Sequence, residues 1–269
     1  MQNKGIIGTV CGDIIGSAYE FHKTKDMGFK LFTPKSKFTD DTVMTCAVAE
    51  WLMEDPHHTH ERLVKIIHRY GEEYPHAGYG GMFRKWLNNK WTEPYNSFGN
   101  GSAMRVSPVG YYAKSLDEAL QLAQISAEVT HSHPEGIIGA QAVAGVIYLF
   151  RSGEYHEKGK AFLKNNCFYD LDKIKEEWDE IRHFYTFDVT CQGSVPEAIY
   201  CGVEYSTYED VIRAAVSLGG DADTQAAIAG GIAATYLEVP DHILNPCIEL
   251  LDPPLTDVID RFNEFCEHR

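Results

Sequence analysis

Apolar side chains recur at helical spacing along most of this chain, and residues that cap helices stand at the boundaries of the runs. The clearest run follows the stretch FTDDT, and its apolar positions are Val43, Met44, Ala47, Val48, Trp51 and Leu52. Asp55 and Pro56 end this run, because proline cannot continue a helix. The pattern predicts a helix whose first turn contains the acidic residues.

Capping residues and prolines predict further helices. These run from Ser115 to about Val129, from Pro134 to about Arg151, onward from a capping box at Ser194–Glu197, from Thr207 to Leu218, from about Ala222 to Tyr236, and onward from Thr256. Strand signals are few, and the one alternating stretch, Phe184 to Thr190, is predicted to be an extended connector.

Two of these helices, those that follow Pro134 and Asp221, are rich in glycine and alanine. Small residues of this kind cost helix stability, and the cost is offset where neighbouring helices approach closely. We therefore expect these two helices to form the central pair of an all-α fold. No internal repeat or linker divides the sequence, so we expect residues 1–269 to form one domain.

The 269 residues include 44% hydrophobic and 23% charged side chains, values typical of a folded globular protein. A net charge of −15 argues against a nucleic-acid partner, whose phosphates require a basic surface. The most apolar stretch, residues 137–150, is too short to span a membrane, and the N-terminus lacks the apolar core of a secretory signal. Seven scattered cysteines without a C-x-x-C pair indicate reduced thiols, so we expect a cytoplasmic protein.

Two clusters of aspartate and threonine stand at predicted helix starts far apart in the sequence. Their members are Thr39, Asp40 and Asp41, and Asp221, Asp223 and Thr224. Helix capping is one explanation, because both residue types are common caps. Capping accounts for one carboxylate in each cluster, however, and the second still needs a positive partner. Oxygen ligands of this kind suit a hard cation such as Mg²⁺ or Mn²⁺, and the two clusters together have enough oxygens for two ions.

Three other stretches suit a ligand-binding cleft. GTVCGDIIGSAYEF has a glycine every four residues, which gives a helix face for close packing, and it ends at Glu20 and Phe21. FGNGS brings glycine backbone and the start of a helix to a position suited to phosphate. THSHPEG contains His131, for which a substrate contact fits better than a zinc site, because no third zinc ligand stands at a matching spacing.

Taken in order, the motifs G-D-x-x-G-x-x-x-E, T-D-D-T, G-N-G-S-A-M-R and G-x-D-A-D-T resemble those of the ADP-ribosylglycohydrolase family, the DraG-like and ARH-type hydrolases. The resemblance extends over about residues 5–240. It implies an all-α, single compact multi-helix domain with a central cleft for two Mg²⁺ or Mn²⁺ ions. It also implies hydrolysis of the glycosidic bond that joins ADP-ribose to an ADP-ribosylated protein or to a small ADP-ribose conjugate.

The resemblance also implies roles for individual residues. The expected metal ligands are Thr39, Asp40, Asp41, Asp221, Asp223 and Thr224. The expected catalytic carboxylate is Glu20, with Asp41 as a second candidate. The residues expected to contact ADP-ribose are Asn100, Gly101, Ser102 and His131.

Two other functions remain open on the sequence alone. One is a non-catalytic ADP-ribose-binding protein of the same fold, and the other is a dinuclear metal phosphohydrolase that acts on nucleotides. A basic and aromatic segment between Glu20 and Thr39 could shape access to the cleft, or it could be an ordinary surface loop.

Overall fold

Helices account for nearly all of the regular structure in the computed structural model, which describes residues 4–268, the side chains of residues 156 and 157 excepted. The helices are α1 (Ile7–Gly16), α2 (Asp40–Glu54), α3 (His60–Glu73), α4 (Gly81–Asn88), α5 (Gly101–Met104), α6 (Ser107–Tyr112), α7 (Leu116–Glu128), α8 (Pro134–Arg151), α9 (Lys160–Asn166), α10 (Leu171–Glu176), α11 (Trp178–Phe184), α12 (Cys191–Glu204), α13 (Tyr208–Val216), α14 (Ala222–Ala233), α15 (Asp241–Leu250) and α16 (Pro253–Glu267). One π-helical turn, Tyr155–Gly159, follows α8.

The prediction of an all-α fold is confirmed. Within the described residues, β-pairing is limited to one isolated bridge between Gly99 and Thr190. The helices pack around one continuous apolar core and form a single compact domain. A helix with the length and hydrophobicity of a membrane span is absent from residues 4–268.

Helices α1 and α14 form the closest pair in the fold. Both are buried along their whole length. A Cβ atom at Gly12 would lie 2.0 Å from the Ala226 carbonyl oxygen, and one at Gly8 would lie 2.5 Å from the Gly230 carbonyl oxygen. Only glycine therefore allows the two backbones to approach this closely. The expectation that α8 and α14 form the central pair is not met in this respect: α14 packs along its length against the glycine face of α1, and its contact with α8 is smaller.

The predicted helix starts are right where the capping side chain faces its own first turn. Thr39, Ser115 and Thr207 each accept a hydrogen bond from a backbone N–H of the helix that they precede. Two predicted starts are wrong. Helix α12 begins at Cys191, three residues before Ser194, and Thr190 caps it; helix α16 begins at Pro253 with Asp252 as its cap, and not at Thr256.

The predicted connector after α11 joins two parts of the fold. Phe184, its predicted first residue, is the last residue of α11, and residues 185–189 lie outside any helix or strand. The backbone N–H of Asn100 donates to the Val189 carbonyl oxygen at 2.8 Å. The backbone N–H of Cys191 donates to the Phe98 carbonyl oxygen at 2.9 Å. These bonds fix the glycine-rich turn before α5 beside the start of α12.

Candidate metal centre and cleft

A cavity of about 510 Å³ opens where the N-terminal ends of α2, α5 and α14 meet. Its floor holds the acidic residues of both sequence clusters, and its walls come from the segment after Glu20, the turn before α4 and the turn before α5. A cavity of this volume is large enough for a nucleotide-sized ligand. The two clusters, far apart in the sequence, therefore face one shared cleft.

The first cluster is held in place by an aspartate of α1. Asp13 is completely buried, and its carboxylate accepts hydrogen bonds from the backbone N–H and the hydroxyl of both Thr39 and Thr42, at 2.5–3.1 Å. Two of these bonds come from backbone N–H groups at the start of α2, and the N–H of Asp40 donates instead to the Ala77 carbonyl oxygen at 3.0 Å. The backbone N–H of Asp41 donates to the Thr39 hydroxyl at 3.3 Å. Capping thus involves Asp13 and Thr39 and leaves the carboxylates of Asp40 and Asp41 for another role.

Asp41 has a buried oxygen, Oδ1, for which the described residues provide no hydrogen-bond partner. Its other oxygen, Oδ2, accepts from the Thr224 hydroxyl at 3.3 Å, which joins the first cluster to the second. A buried carboxylate oxygen without a donor is costly unless a cation lies beside it. The surrounding ligand atoms are all oxygens, so the site fits a hard divalent cation.

The second cluster lies at the N-terminus of α14. Asp221 precedes this helix, and its Oδ2 accepts a hydrogen bond from the Asn100 side-chain amide at 2.7 Å. Two groups of three carboxylates have oxygens within 4.8 Å of one another, and Asp223 belongs to both groups: Asp13, Asp41 and Asp223, and Glu20, Asp221 and Asp223. Two adjacent groups are compatible with more than one ion, with Asp223 between them.

Burial and mutual repulsion act on these carboxyl groups. Burial raises the pKa of Asp40 to about 8, and the charge of Asp13 adds to the effect. Burial also holds the pKa of Asp41 and that of Asp223 well above the ordinary value, with further increases from Asp13 and Asp221 respectively. A bound cation would favour the ionised carboxylates and so offset both the cost of burial and the mutual repulsion.

Glu20 lies at the mouth of the cavity, four residues beyond α1. Its side chain is half-buried, and burial raises its pKa to about 7, with repulsion from Asp221 and Asp13 contributing. Lys37 acts in the opposite direction, because its positive charge favours the ionised carboxylate. The structure therefore places Glu20 in the same cleft as the two acidic clusters.

The predicted ADP-ribose contacts divide into two kinds. Asn100, Gly101 and His131 line the cavity. Ser102 does not, since its hydroxyl is fully buried behind the wall and donates to the Gly136 carbonyl oxygen at 2.7 Å. The helix that begins there, α5, is a single turn of four residues.

Sequence reasoning assigned no role to two polar residues of the site. Asp13 was visible in the G-D-x-x-G motif, but its function as the acceptor for Thr39 and Thr42 depends on a contact between α1 and α2 that spacing does not reveal. Arg105 follows G-N-G-S-A-M and lines the cavity, although only 1% of its surface is exposed. Its guanidinium donates to the Ser126 carbonyl oxygen and to the Thr130 hydroxyl.

His131 is the neighbour of Arg105 in this wall. Its Nδ1 lies 2.7 Å from the Thr130 hydroxyl. Burial, and then the charge of Arg105, hold the pKa of His131 well below the ordinary value. His131 is therefore a neutral imidazole at neutral pH, able to take part in hydrogen bonds but not in ion pairs.

The sequence is similar to that of known proteins over most of its length. The sequence model of the ADP-ribosylglycohydrolase family matches residues 4–268. The ADP-ribosylhydrolase ARH3 of Homo sapiens is 28% identical over 90% of this chain and 87% of its own length. An uncharacterized protein of Archaeoglobus fulgidus is 29% identical over 77% of this chain and 74% of its own length.

The fold has a counterpart among solved structures. A chain described as an "ADP-ribosylglycohydrolase-related protein complex" superimposes with a TM-score of 0.69 at 20% identity, over 97% of this chain and 96% of that one. The match over nearly the whole sequence decides the assignment: this chain is a member of the ADP-ribosylglycohydrolase family.

Proposed function

We propose that this protein is a metal-dependent hydrolase that cleaves the glycosidic bond between ADP-ribose and a modified protein side chain, with release of ADP-ribose. Family membership supports ADP-ribose hydrolase chemistry in general. The observation that carries the specific proposal is the buried Asp41 oxygen without a partner, at the floor of a cleft large enough for ADP-ribose.

The residues of the two clusters are the ligands that we propose for two Mg²⁺ or Mn²⁺ ions. They are Thr39, Asp40, Asp41, Asp221, Asp223 and Thr224. Ions bound there would supply Lewis acidity, which lowers the pKa of a coordinated water and orients hydroxyl groups of the substrate. They would also make an otherwise acidic cleft attractive to the pyrophosphate of ADP-ribose.

Glu20 is the residue that we propose to transfer the proton during hydrolysis. It is the one carboxylate of the three-member groups that is not fully enclosed, so a water molecule and a leaving group can both reach it. A positioned carboxyl group assists as positive charge develops at the anomeric carbon. Asp41 is the second candidate, because one of its oxygens is not committed to a hydrogen bond.

The wall around α5 is the part that we propose to hold the ADP portion. Gly101 brings its backbone close to His131, since a Cβ atom at Gly101 would lie 3.1 Å from Nε2 of that residue. Asn100 cannot rotate freely, because its amide donates to Asp221 and to the Ser194 hydroxyl. This wall therefore has a fixed shape before any ligand binds.

We propose that the protein acts in the cytoplasm, where its free, mostly buried cysteines remain reduced.

The test is turnover of proteins mono-ADP-ribosylated on arginine and, separately, on serine, in Mg²⁺, in Mn²⁺ and in EDTA. Released products are identified by mass spectrometry. We expect ADP-ribose from at least one of the two linkages in the presence of metal and none in EDTA. Metal-dependent binding of ADP-ribose without any turnover would instead identify a binding protein, and release of AMP would identify a phosphohydrolase.

A further inference from the structure

The segment between Glu20 and Thr39 has the opposite charge to the rest of the molecule. Residues 21–38, FHKTKDMGFKLFTPKSKF, contain five lysines and one aspartate in a chain of net charge −15. Random surface composition does not concentrate a third of the chain's fifteen lysines in so short a stretch. The segment directly follows Glu20, and its first residue, Phe21, lines the cavity.

These lysines differ from most of the others in their partners. Eight of the ten lysines elsewhere, such as Lys65 with Glu61, form ion pairs with carboxylates. Among the described residues, no carboxylate oxygen lies within 4.0 Å of any lysine nitrogen of the segment 21–38. Lys25 is bonded to backbone carbonyl oxygens, and the charges of the other four lysines are not paired with a carboxylate of the described residues and are available to an external anion.

The segment is nevertheless firmly attached to the protein. Lys25 Nζ donates hydrogen bonds to the carbonyl oxygens of Arg182, Tyr185 and Leu218 at 2.5–2.8 Å. The Arg213 guanidinium donates to the carbonyl oxygens of Met27 and Phe29. The cationic side chains of Lys25 and Arg213 thus fix this backbone against α11 and α13. A surface held in this way has a defined shape for recognition.

Phe21 of the segment lines the cavity, and two of the segment's exposed lysines lie beside residues that line it. Phe21 has 77% of its surface exposed, and Lys23 Nζ lies 4.9 Å from the ring centre of Phe187, another residue of the cavity wall. Lys35 contacts His22, and Lys37 is close enough to Glu20 to favour its ionised form. We name this group of residues the basic lip; its members are Phe21, His22, Lys23, Lys35 and Lys37.

The neutral His131 wall is formed by residues outside the segment 21–38. Arg105, His131 and Tyr95 line the cavity there, and the Tyr95 and His131 rings lie 5.9 Å apart. Glu20 and carboxylates of both acidic clusters line the same cavity. If the ADP portion occupies the His131 wall and the ribose lies over the carboxylates, the group attached to the ribose continues toward the residues that follow Glu20, which belong to the basic lip.

We propose that the basic lip binds the acidic residues that flank the modified side chain, so that the preferred substrates are proteins ADP-ribosylated within acidic segments. This inference rests on the proposed function, and it adds the class of target. Exposed Phe21 and Phe187 give the lip apolar area for the peptide, and the lysines give it selectivity for charge. A nucleic acid fits less well, because its phosphates would continue beyond the lip onto an acidic surface.

The test compares two peptides that carry the same ADP-ribosylated residue. One has aspartate and glutamate on both sides, and the other has asparagine and glutamine at the same positions. We expect the wild-type protein to show a kcat/KM ratio, acidic over amide, of about tenfold, and rising salt to reduce it. In the variant Lys23→Gln/Lys35→Gln, the ratio is expected to fall close to one.

The control variant is Lys65→Gln/Lys114→Gln, which removes the same charge at two exposed lysines on other elements. It should keep the wild-type ratio. An unchanged ratio in the lip variant, or an equal loss with a peptide-free ADP-ribose conjugate, would overturn the proposal. If the wild-type protein cleaves no substrate at all, the proposed function fails and the lip is tested by binding. The acidic peptide should then bind the wild-type protein more tightly than the amide peptide, and the lip variant should lose this preference.

Discussion

At the scale of single residues, Asp41 decides between a structural cap and a cation site. The backbone N–H of Asp41 donates to the Thr39 hydroxyl, and Oδ1 of Asp41 has no donor among the described residues. This oxygen therefore takes no part in helix capping. Asp13, in contrast, accepts four hydrogen bonds and is the true acceptor for the first turn of α2. The two aspartates should therefore respond differently to metal.

Substitution Asp41→Asn tests this distinction. In EDTA we expect the variant to be more stable than the wild type by about 1 kcal/mol, because one buried, repelled carboxylate is removed. In Mg²⁺ the wild type should gain stability by ligand binding and the variant should gain much less. Thermal unfolding with and without metal measures both effects, and turnover should fall about 100-fold or more.

The matched control is Asp117→Asn, an exposed aspartate in the first turn of α7. It should unfold like the wild type in both conditions. Destabilisation of the Asp41→Asn variant in EDTA and in Mg²⁺ alike would support the capping explanation and remove the basis of the metal assignment.

Glu197 provides a prediction away from the cleft. Its Oε2 is buried without a hydrogen-bond partner in the described part of the chain, and burial raises its pKa to about 7, with the charge of Asp188 adding to the effect. An acid with a raised pKa binds more protons when folded than when unfolded between about pH 4.5 and pH 7. The free energy of unfolding should therefore fall as the pH rises through this range.

Substitution Glu197→Gln should remove that contribution. We expect the variant to be more stable than the wild type by about 1–3 kcal/mol at pH 8.5 and equal to it near pH 4.5. Denaturant unfolding at the two pH values measures the difference, and Glu180→Gln, an exposed glutamate on the adjacent helix α11, is the control. A stability difference independent of pH would refute the assignment.

At the scale of helices, the contact between α1 and α14 positions the site. Glycines at positions 8, 12 and 16 of α1 allow the approach, and this contact places Asp13 beside Asp223. A displacement of α1 would therefore move Asp13, and through it the first turn of α2. The packing against α14 and the position of Asp13 beside the first turn of α2 therefore depend on the same helix.

Substitution Gly12→Ala should separate these helices. The added Cβ atom would lie 2.0 Å from the Ala226 carbonyl oxygen, and backbone atoms cannot move aside as a flexible side chain would. We expect a loss of about 3 kcal/mol in the free energy of unfolding and weaker stabilisation by Mg²⁺. Denaturant unfolding of Gly81→Ala is the control, because a Cβ atom there meets nothing within 4 Å. Equal stability of the two variants would contradict the close packing.

Helices were predictable from the sequence where one local signal fixes them. Thr39, Ser115 and Thr207 cap helices through bonds to residues two or three positions ahead, which spacing alone reveals. The start of α12 was misplaced because a capping box at Ser194 competes with a cap at Thr190, and only the packed loop decides between them. Helices α1 and α14 are far apart in the sequence, and neither residue composition nor local spacing predicts that they pack together.

The site was predictable to the same degree. Both acidic clusters and Glu20 meet in one cleft, as their residue types and the family motifs indicated. Ser102 points away from the cavity because its hydroxyl is used to bind the Gly136 carbonyl oxygen, a contact between α5 and α8. Motif spacing identifies residues near a ligand, and it does not determine the direction of each side chain.

At the scale of the whole molecule, charge is the organising feature. The chain has a net charge of −15, and the cleft adds further buried carboxylates, yet the proposed substrate is an anion. The divalent cations that we propose at the floor and the lysines of the proposed basic lip would together reverse the local field. Both EDTA and high salt should therefore reduce turnover, by different routes: EDTA at the chemical step and salt at substrate capture.

The most direct test of the central claim is the mass of the products formed from a mono-ADP-ribosylated protein in water enriched in oxygen-18, with Mg²⁺ present and a rapid quench. We predict intact ADP-ribose with one oxygen-18 atom in its terminal ribose, together with an unmodified side chain, because the water attacks the anomeric carbon. Oxygen-18 in AMP or in a phosphate would show attack at phosphorus, and it would contradict the assignment of this cleft to glycosidic hydrolysis.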